Sequence, residues 1–193
     1  MREIFIFSFL LFLFCYPRPK SPPPLEIVNG EFNEDWNFGW RSKVENHAGD
    51  YEIRRVKVDK EYHIRVYKSL CGSAQIYQVI KIPNLAATLS FRAKFFADSN
   101  IEEYAAAAGI VIEYLNSAQR KLGATYFYSA TPNFQEWQNS PTTHLYKVSP
   151  ADWQRFSLDI KKELRENLPG IEREEVKYIK ITLLAYCTQK EGC

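Results

Sequence analysis

The chain has 193 residues, 46% hydrophobic and 15% aromatic, with a formal net charge of +2. That length suits one domain with a real core rather than two, and the composition is that of a globular chain and not a disordered one. Lys and Arg are interleaved with Asp and Glu and form no basic block, which argues against nucleic acid as a partner.

Residues 1–16, MREIFIFSFLLFLFCY, carry one Arg and then an apolar run from Ile4 to Phe14. The run is shorter than the roughly 20 residues that a bilayer-spanning helix needs, and it matches the apolar region of a secretory signal peptide. Cys15 closes it ahead of a polar, proline-rich tract, a layout that resembles a bacterial lipoprotein, in which such a Cys is acylated. Phe14 stands where that pattern has a small residue. Ordinary cleavage near Cys15–Ser21 and an uncleaved anchor are the alternatives. All three place the body outside the cytoplasm, at the cell envelope or secreted. Residues 17–24, PRPKSPPP, read as a linker, because prolines favour an extended form of roughly 3.1 Å per residue. Such a linker sets a folded head about 20–25 Å from an anchor. Residues 25–193 are then the folded domain.

Along that domain the pattern is short strands and turns. Tyr51–Val58 and Tyr62–Tyr67 alternate apolar and polar residues across Asp59-Lys60-Glu61 and read as a hairpin. Ala74–Ile82 ends at the turn signal Pro83-Asn84. Thr88–Phe96 puts Leu89, Phe91, Ala93 and Phe95 on one face, with Ser90, Arg92 and Lys94 on the other. Ala106–Leu115 is apolar on both faces and reads as a central strand; Gly109 and the β-branched run Ile110-Val111-Ile112 argue against the helix its alanines permit. Leu122–Ser129, Leu145–Val148, Trp153–Ile160 and Val176–Ala185 are further strands. Only Lys161–Asn167 looks helical, stopped by Pro169-Gly170. About ten strands and one short helix near the C-terminus imply an all-β, antiparallel sandwich.

The entry to this domain reads IVNGEFNEDWNFGW. Asn29-Gly30-Glu31-Phe32 followed by Gly39-Trp40 resembles the start of jelly-roll carbohydrate-binding modules with a galactose-binding-like fold. In that family an Asn-Gly-acidic-Phe motif closes the first strand and a Gly-Trp pair opens the body. The stretches Ile76-Tyr77-Gln78-Val79, Ile82-Pro83 and Thr88-Leu89-Ser90-Phe91 resemble the family's aromatic-Gln and Leu-Ser-Phe strands, and Trp153–Ile160 resembles its late Trp-containing strand. The resemblance spans most of residues 25–186. It implies a jelly roll whose end is plugged by Phe32 and Trp40. It also implies a stand-alone module that binds a glycan or similar polar ligand. A structural calcium occurs in the family; Glu31, Glu34 and Asp35 match its first acidic group, but the last strand offers no carboxylate, so no metal or other cofactor is expected.

Catalysis is not expected either. His47, His63 and His144 are widely spaced, and no HExxH, GxSxG, GxxxxGK[ST] or strand-following GxGxxG is present. Glu113 and Asp159 could act as a glycosidase pair only if the fold brought them together. Among the cysteines, Cys187 and Cys193 enclose a short Gly-containing loop and can form a disulfide, leaving Cys71 free; Cys71–Cys187 and Cys71–Cys193 are equally legal.

Sugar-binding faces present aromatic rings beside polar side chains. Tyr126 and Tyr128 share one face of a strand, Trp137 sits in a polar loop, and Arg92 projects away from a core face, so these four are the candidate ligand-binding residues. Ordinary packing is the competing reading of each. The partner is then a glycan, or alternatively an envelope protein docked by the same sandwich, with the membrane reached through the N-terminus.

Overall fold

The computed structural model describes residue 25 and residues 27–46, 48–98, 103–149 and 152–189. The leader, the linker, Cys15 and Cys193 lie outside the described residues. The elements are β1 (Arg41–Glu45), β2 (Tyr51–Val58), β3 (Glu61–Lys68), β4 (Gly72–Lys81), β5 (Thr88–Ala93), β6 (Tyr104–Leu115), β7 (Lys121–Ala130), β8 (Thr143–Lys147), β9 (Gln154–Asp159), α1 (Ile160–Glu166) and β10 (Tyr178–Gln189). Among the described residues no helix is long and apolar enough to cross a membrane.

The β-sandwich read from the sequence is present. One layer is a six-stranded sheet in the order β1-β4-β10-β6-β7-β8, and the other is built from two separate pairs, β2–β3 and β5–β9. All pairings are antiparallel except β7–β8, which is parallel. The β2–β3 hairpin packs over β4 and β10. The β5–β9 pair sits over β7, where Phe91 and Phe156 lie 5.2 and 5.4 Å from the Phe127 ring.

Strand periodicity decides what is buried. Successive side chains point to opposite faces, so Ile110, Ile112 and Tyr114 of β6 enter the core together with Ile76 and Ile80 of β4 and Ile179 and Ile181 of β10. Each such aliphatic side chain contributes about 1.5–3 kcal/mol when fully buried. The alanine-rich start of β6 stays extended because β10 and β7 hydrogen-bond to it on either side.

The opening motif is a self-tied loop. Asn29 holds a positive φ of 50°. Its side-chain amide donates to the carbonyls of Glu34 and Asp35, and its Oδ1 accepts from the Glu34 N–H. Phe32 and Trp40 are both buried, with ring centroids 5.5 Å apart. Ahead of Asn29 the described residues 25, 27 and 28 lie outside any strand, and side-chain pairing holds this entry to β4. Gln78, buried on the inner face of β4, accepts from the Val28 N–H and donates to the carbonyls of Val28 and Gly39. Gly39 has a φ of +85°, where a Cβ would lie 2.6 Å from the Val28 side chain.

Helix α1 is capped by Asp159, whose carboxylate accepts from the Lys162 N–H at 2.9 Å. Its inward residue Glu163 is 4% exposed. The Glu163 carboxylate accepts from Thr125 Oγ1 and Asn167 Nδ2, both at 2.7 Å, and lies 2.6 Å from His144 Nδ1. Thr125 gives its one proton to Glu163, so it accepts from the Tyr114 hydroxyl at 3.1 Å. Burial pushes the Tyr114 hydroxyl pKa upward, keeping it neutral. One carboxylate thereby ties the helix to β7 and β8.

The expected Cys187–Cys193 disulfide is corrected by the structure. Cys187 is a free, buried thiol, and Cys71 is the disulfide-bonded residue, its partner lying outside the described residues. The reason is the length of β10, which continues beyond Cys187 to Gln189. Thr188 and Gln189 remain in the ladder with β6, opposite Ala105 and Tyr104. Burial raises the Cys187 thiol pKa.

Candidate functional site

The six-stranded sheet turns its other face outward, and its register sets the candidate site. Arg41, Tyr77, Thr182, Val111, Tyr126 and Leu145 align across β1, β4, β10, β6, β7 and β8. The next outward row carries Lys43, Gln75, Leu184, Gly109, Tyr128 and Lys147. Trp137 reaches this face from the loop 131–142. It lies 4.8 Å from the Tyr126 ring, 5.3 Å from Tyr128, 4.9 Å from Phe134 and 6.4 Å from Tyr186. Gly109 makes room for this cluster, since a Cβ there would come within 3.0 Å of the Tyr128 Cβ and 2.6 Å of the Phe127 carbonyl.

Beside the cluster is a cleft of about 200 Å³. Tyr126, Trp137 and Tyr186 form its aromatic side, and Ser73, Gln75, Thr182, Glu45, Glu113 and Lys180 supply its polar groups. Glu113 accepts charge-assisted contacts from Lys180 at 2.8 Å and Lys121 at 3.2 Å. Burial works to raise its pKa, but the hydrogen bond from Lys180 and the charges of Lys121 and Lys180 outweigh that and hold the carboxyl below its ordinary value. The Lys180 ammonium also lies 4.9 Å from the Tyr77 ring centre, and Lys121 lies 5.8 Å from that of Tyr126, both within cation–π range. At the far rim Lys43 pairs with Glu45, which also accepts from Ser73 Oγ at 3.1 Å. The hydrogen bond from Lys43, helped by the one from Ser73, lowers the Glu45 pKa against desolvation. Burial, then the charge of Glu136, raises that of Tyr186. The cleft therefore offers ionised carboxylates, ammonium donors and neutral hydroxyls beside flat apolar rings.

Of the four residues singled out from sequence, Tyr126 and Trp137 line this cleft. Tyr128 lies behind Trp137 and supports it edge-on. Arg92 belongs to the other layer, where it pairs with Glu61 at 3.2 Å and sits 5.6 Å from the Trp153 ring centre. Trp153 itself is half-buried, its ring tilted against that of His63 with centroids 4.4 Å apart. Sequence reasoning missed Tyr186, Thr182 and the Glu113–Lys180 pair. The polar alternation Lys180, Thr182 on an otherwise apolar strand was the available signal. Glu113 and Asp159 do not form a pair: Glu113 is on the outer face between lysines, and Asp159 caps α1. Glu31 accepts from the Asn33 amide at 3.1 Å. Among the described residues no three His, Cys, Asp or Glu side chains assemble as a metal site.

The fold and its open face define a β-sandwich with an aromatic-and-polar cleft. No family model matches the chain, and no curated protein matches it. Solved structures do show similarity. One is the family 11 carbohydrate-binding module of the cellulosomal cellulase Lic26A-Cel5E of Clostridium thermocellum, at 12% identity and a TM-score of 0.40, covering 82% of this chain and 88% of that one. Another is the family 11 module from the same organism in complex with a β-1,3-1,4-mixed-linked tetrasaccharide, at 11% identity and a TM-score of 0.42, covering 86% and 94%.

Proposed function

We propose that the domain is a glycan-binding module that takes its ligand in the cleft on the outer face of the six-stranded sheet. The observation that carries the reading is the pairing of Tyr126, Trp137 and Tyr186 with hydrogen-bonding groups on the adjoining strands. A pyranose has one face of C–H groups, which stacks on an aromatic ring, and an edge of hydroxyls, which needs both donors and acceptors. Lys180 and Gln75 provide donors, while Glu113, Glu45 and Gln75 provide acceptors. Because the charged groups are already paired with one another, a neutral sugar meets no unpaired buried charge.

The same proposal places the module outside the cytoplasm, tethered at the envelope through Cys15 or the uncleaved leader, or else released. The short apolar run and the proline-rich linker support this, as does the disulfide at Cys71, since disulfides persist in oxidising compartments. The test is a glycan array with the full chain, followed by calorimetric titration of each positive oligosaccharide. Saturable binding weakened by Tyr126→Ala, with the thermal midpoint preserved to within a few degrees, is the expected result. No binding at millimolar oligosaccharide would overturn the proposal.

A further inference from the structure

The two-part layer opposite the cleft is not continuous. β3 and β5 share no ladder, and between the pairs opens a second cavity of about 550 Å³ that reaches the floor of the sandwich. Ile64 and Val66 line one wall, Leu89 and Phe91 the other, and Ile110 and Ile181 the floor. Ile64, Val66 and Phe91 face inward yet remain only half-buried, because no strand bridges the gap. The volume falls in the range of small-molecule sites, about 300–1,000 Å³, and the lining has their apolar character.

The mouth is polar and differs from the interior. Arg92 and Glu61 bridge it as an ion pair, and the His63 and Trp153 rings meet across the same gap. Lys60 and Lys94 also line it, as do the carboxylate-bearing residues Glu31 and Glu61. Lys94 reaches only the fully exposed Asp152, at 3.8 Å, and Lys60 makes no ion pair among the described residues. The lining of the entrance thus carries three cations, Lys60, Arg92 and Lys94, against the two carboxylates Glu31 and Glu61, with Asp152 outside it.

We propose that this cavity is a second binding site, distinct from the sugar cleft, for a single-chain amphiphile with a carboxylate head, the chemistry of a fatty acid. The acyl chain lies along the apolar floor between the two hairpins. The head stays at the mouth against Lys60 and Lys94, beside the Arg92–Glu61 bridge. A polar ligand such as a sugar would find no partners on the floor, and an uncharged alkane would leave the lysines unused.

The experiment is calorimetric titration of the full chain with laurate held below its micelle concentration, beside dodecanol as the uncharged control. Expected is one saturable laurate site, with dodecanol bound at least several-fold more weakly. Ala108→Phe fills the cavity from β6 and keeps the leader and the outer cleft intact, so it should abolish the site. Lys60→Glu combined with Lys94→Glu changes exposed residues only and should weaken laurate at least tenfold while leaving dodecanol unchanged. The proposal is overturned by an absence of laurate binding to the wild-type chain, by a folded Ala108→Phe protein that binds laurate as tightly as wild type, or, should that variant not fold, by unchanged laurate affinity in the double lysine variant.

Discussion

Trp137→Ala is the most informative perturbation of the proposed glycan cleft. Trp137 is half-buried, sits in a loop and stands outside the core cluster. Its partners are the rings of Tyr126, Tyr128, Phe134 and Tyr186. Aromatic contacts of this kind are worth about 0.5–1.5 kcal/mol beyond area burial. If the ring stacks on a sugar, its loss costs the ligand a similar amount, about 2- to 13-fold in Kd. For the fold, the loss of a partly exposed loop ring costs about 1–2 kcal/mol, which lowers the melting temperature of a domain this size by about 2–8 °C. Trp40→Ala is the contrast: Trp40 is 6% exposed, and removing a core aromatic of this kind costs about 3–5 kcal/mol. Differential scanning calorimetry and oligosaccharide titration on both variants, with Trp137→Phe as the ring-preserving control, check the reasoning. It is refuted if folded Trp137→Ala binds with unchanged affinity, or if its melting temperature falls as far as that of Trp40→Ala.

Glu163→Ala leaves Thr125, Asn167 and His144 without their shared acceptor; a loss of about 3–5 kcal/mol is expected, seen as a drop on the order of 10 °C in the thermal midpoint. The Glu113 pKa is lowered below its ordinary 4.5 in the folded state, so its contribution to stability is complete above that pH and is lost only as pH falls through the folded value. Sugar affinity and thermal midpoint should therefore stay level from neutrality down to 4.5, as far as Glu113 decides it, and Glu113→Gln should flatten the acid fall that follows. Expression of the full chain in a bacterial host should deliver it to the envelope, and Cys15→Ser should change its processed mass and release it from membranes; an unprocessed cytoplasmic product would refute export. Circular dichroism of the fragment 25–193 should be dominated by β structure, and a helix-rich spectrum would refute independent folding of that fragment.

The strands were legible wherever burial is one-sided, because alternation then writes itself into the residues, as in Thr88–Phe96 and the hairpin from Tyr51. β1 was not legible. It is a short edge strand, Arg41–Glu45, with only Val44 half-buried, so it needs no apolar pattern. The opening motif was read correctly as a turn with Phe32 and Trp40 buried behind it, but the Gln78 pairing that holds the entry to β4 depends on residues 50 positions apart. In the candidate site, Tyr126 and Trp137, singled out from their types and their polar surroundings, line the cleft. Arg92 lies in the other layer from Tyr126 and Trp137, which the sequence could not show: alternation says which face of a strand a side chain occupies, not which sheet the strand joins. The Glu163–His144 contact crosses from a helix to a strand, and no local period encodes it.

The position of β10 bears on the order in which the chain can fold. This strand lies between β4 and β6 in the sheet and is the last element described in the chain. Lys81 of β4 pairs with Tyr178, so β4 must wait for about 100 further residues, which take about 5–20 s at about 5–20 residues per second of synthesis. Until β10 emerges from the ribosome, the inner edges of β4 and β6 have no partner and the six-stranded sheet cannot close. Its own topology therefore keeps the sheet open until synthesis of the described domain is nearly complete.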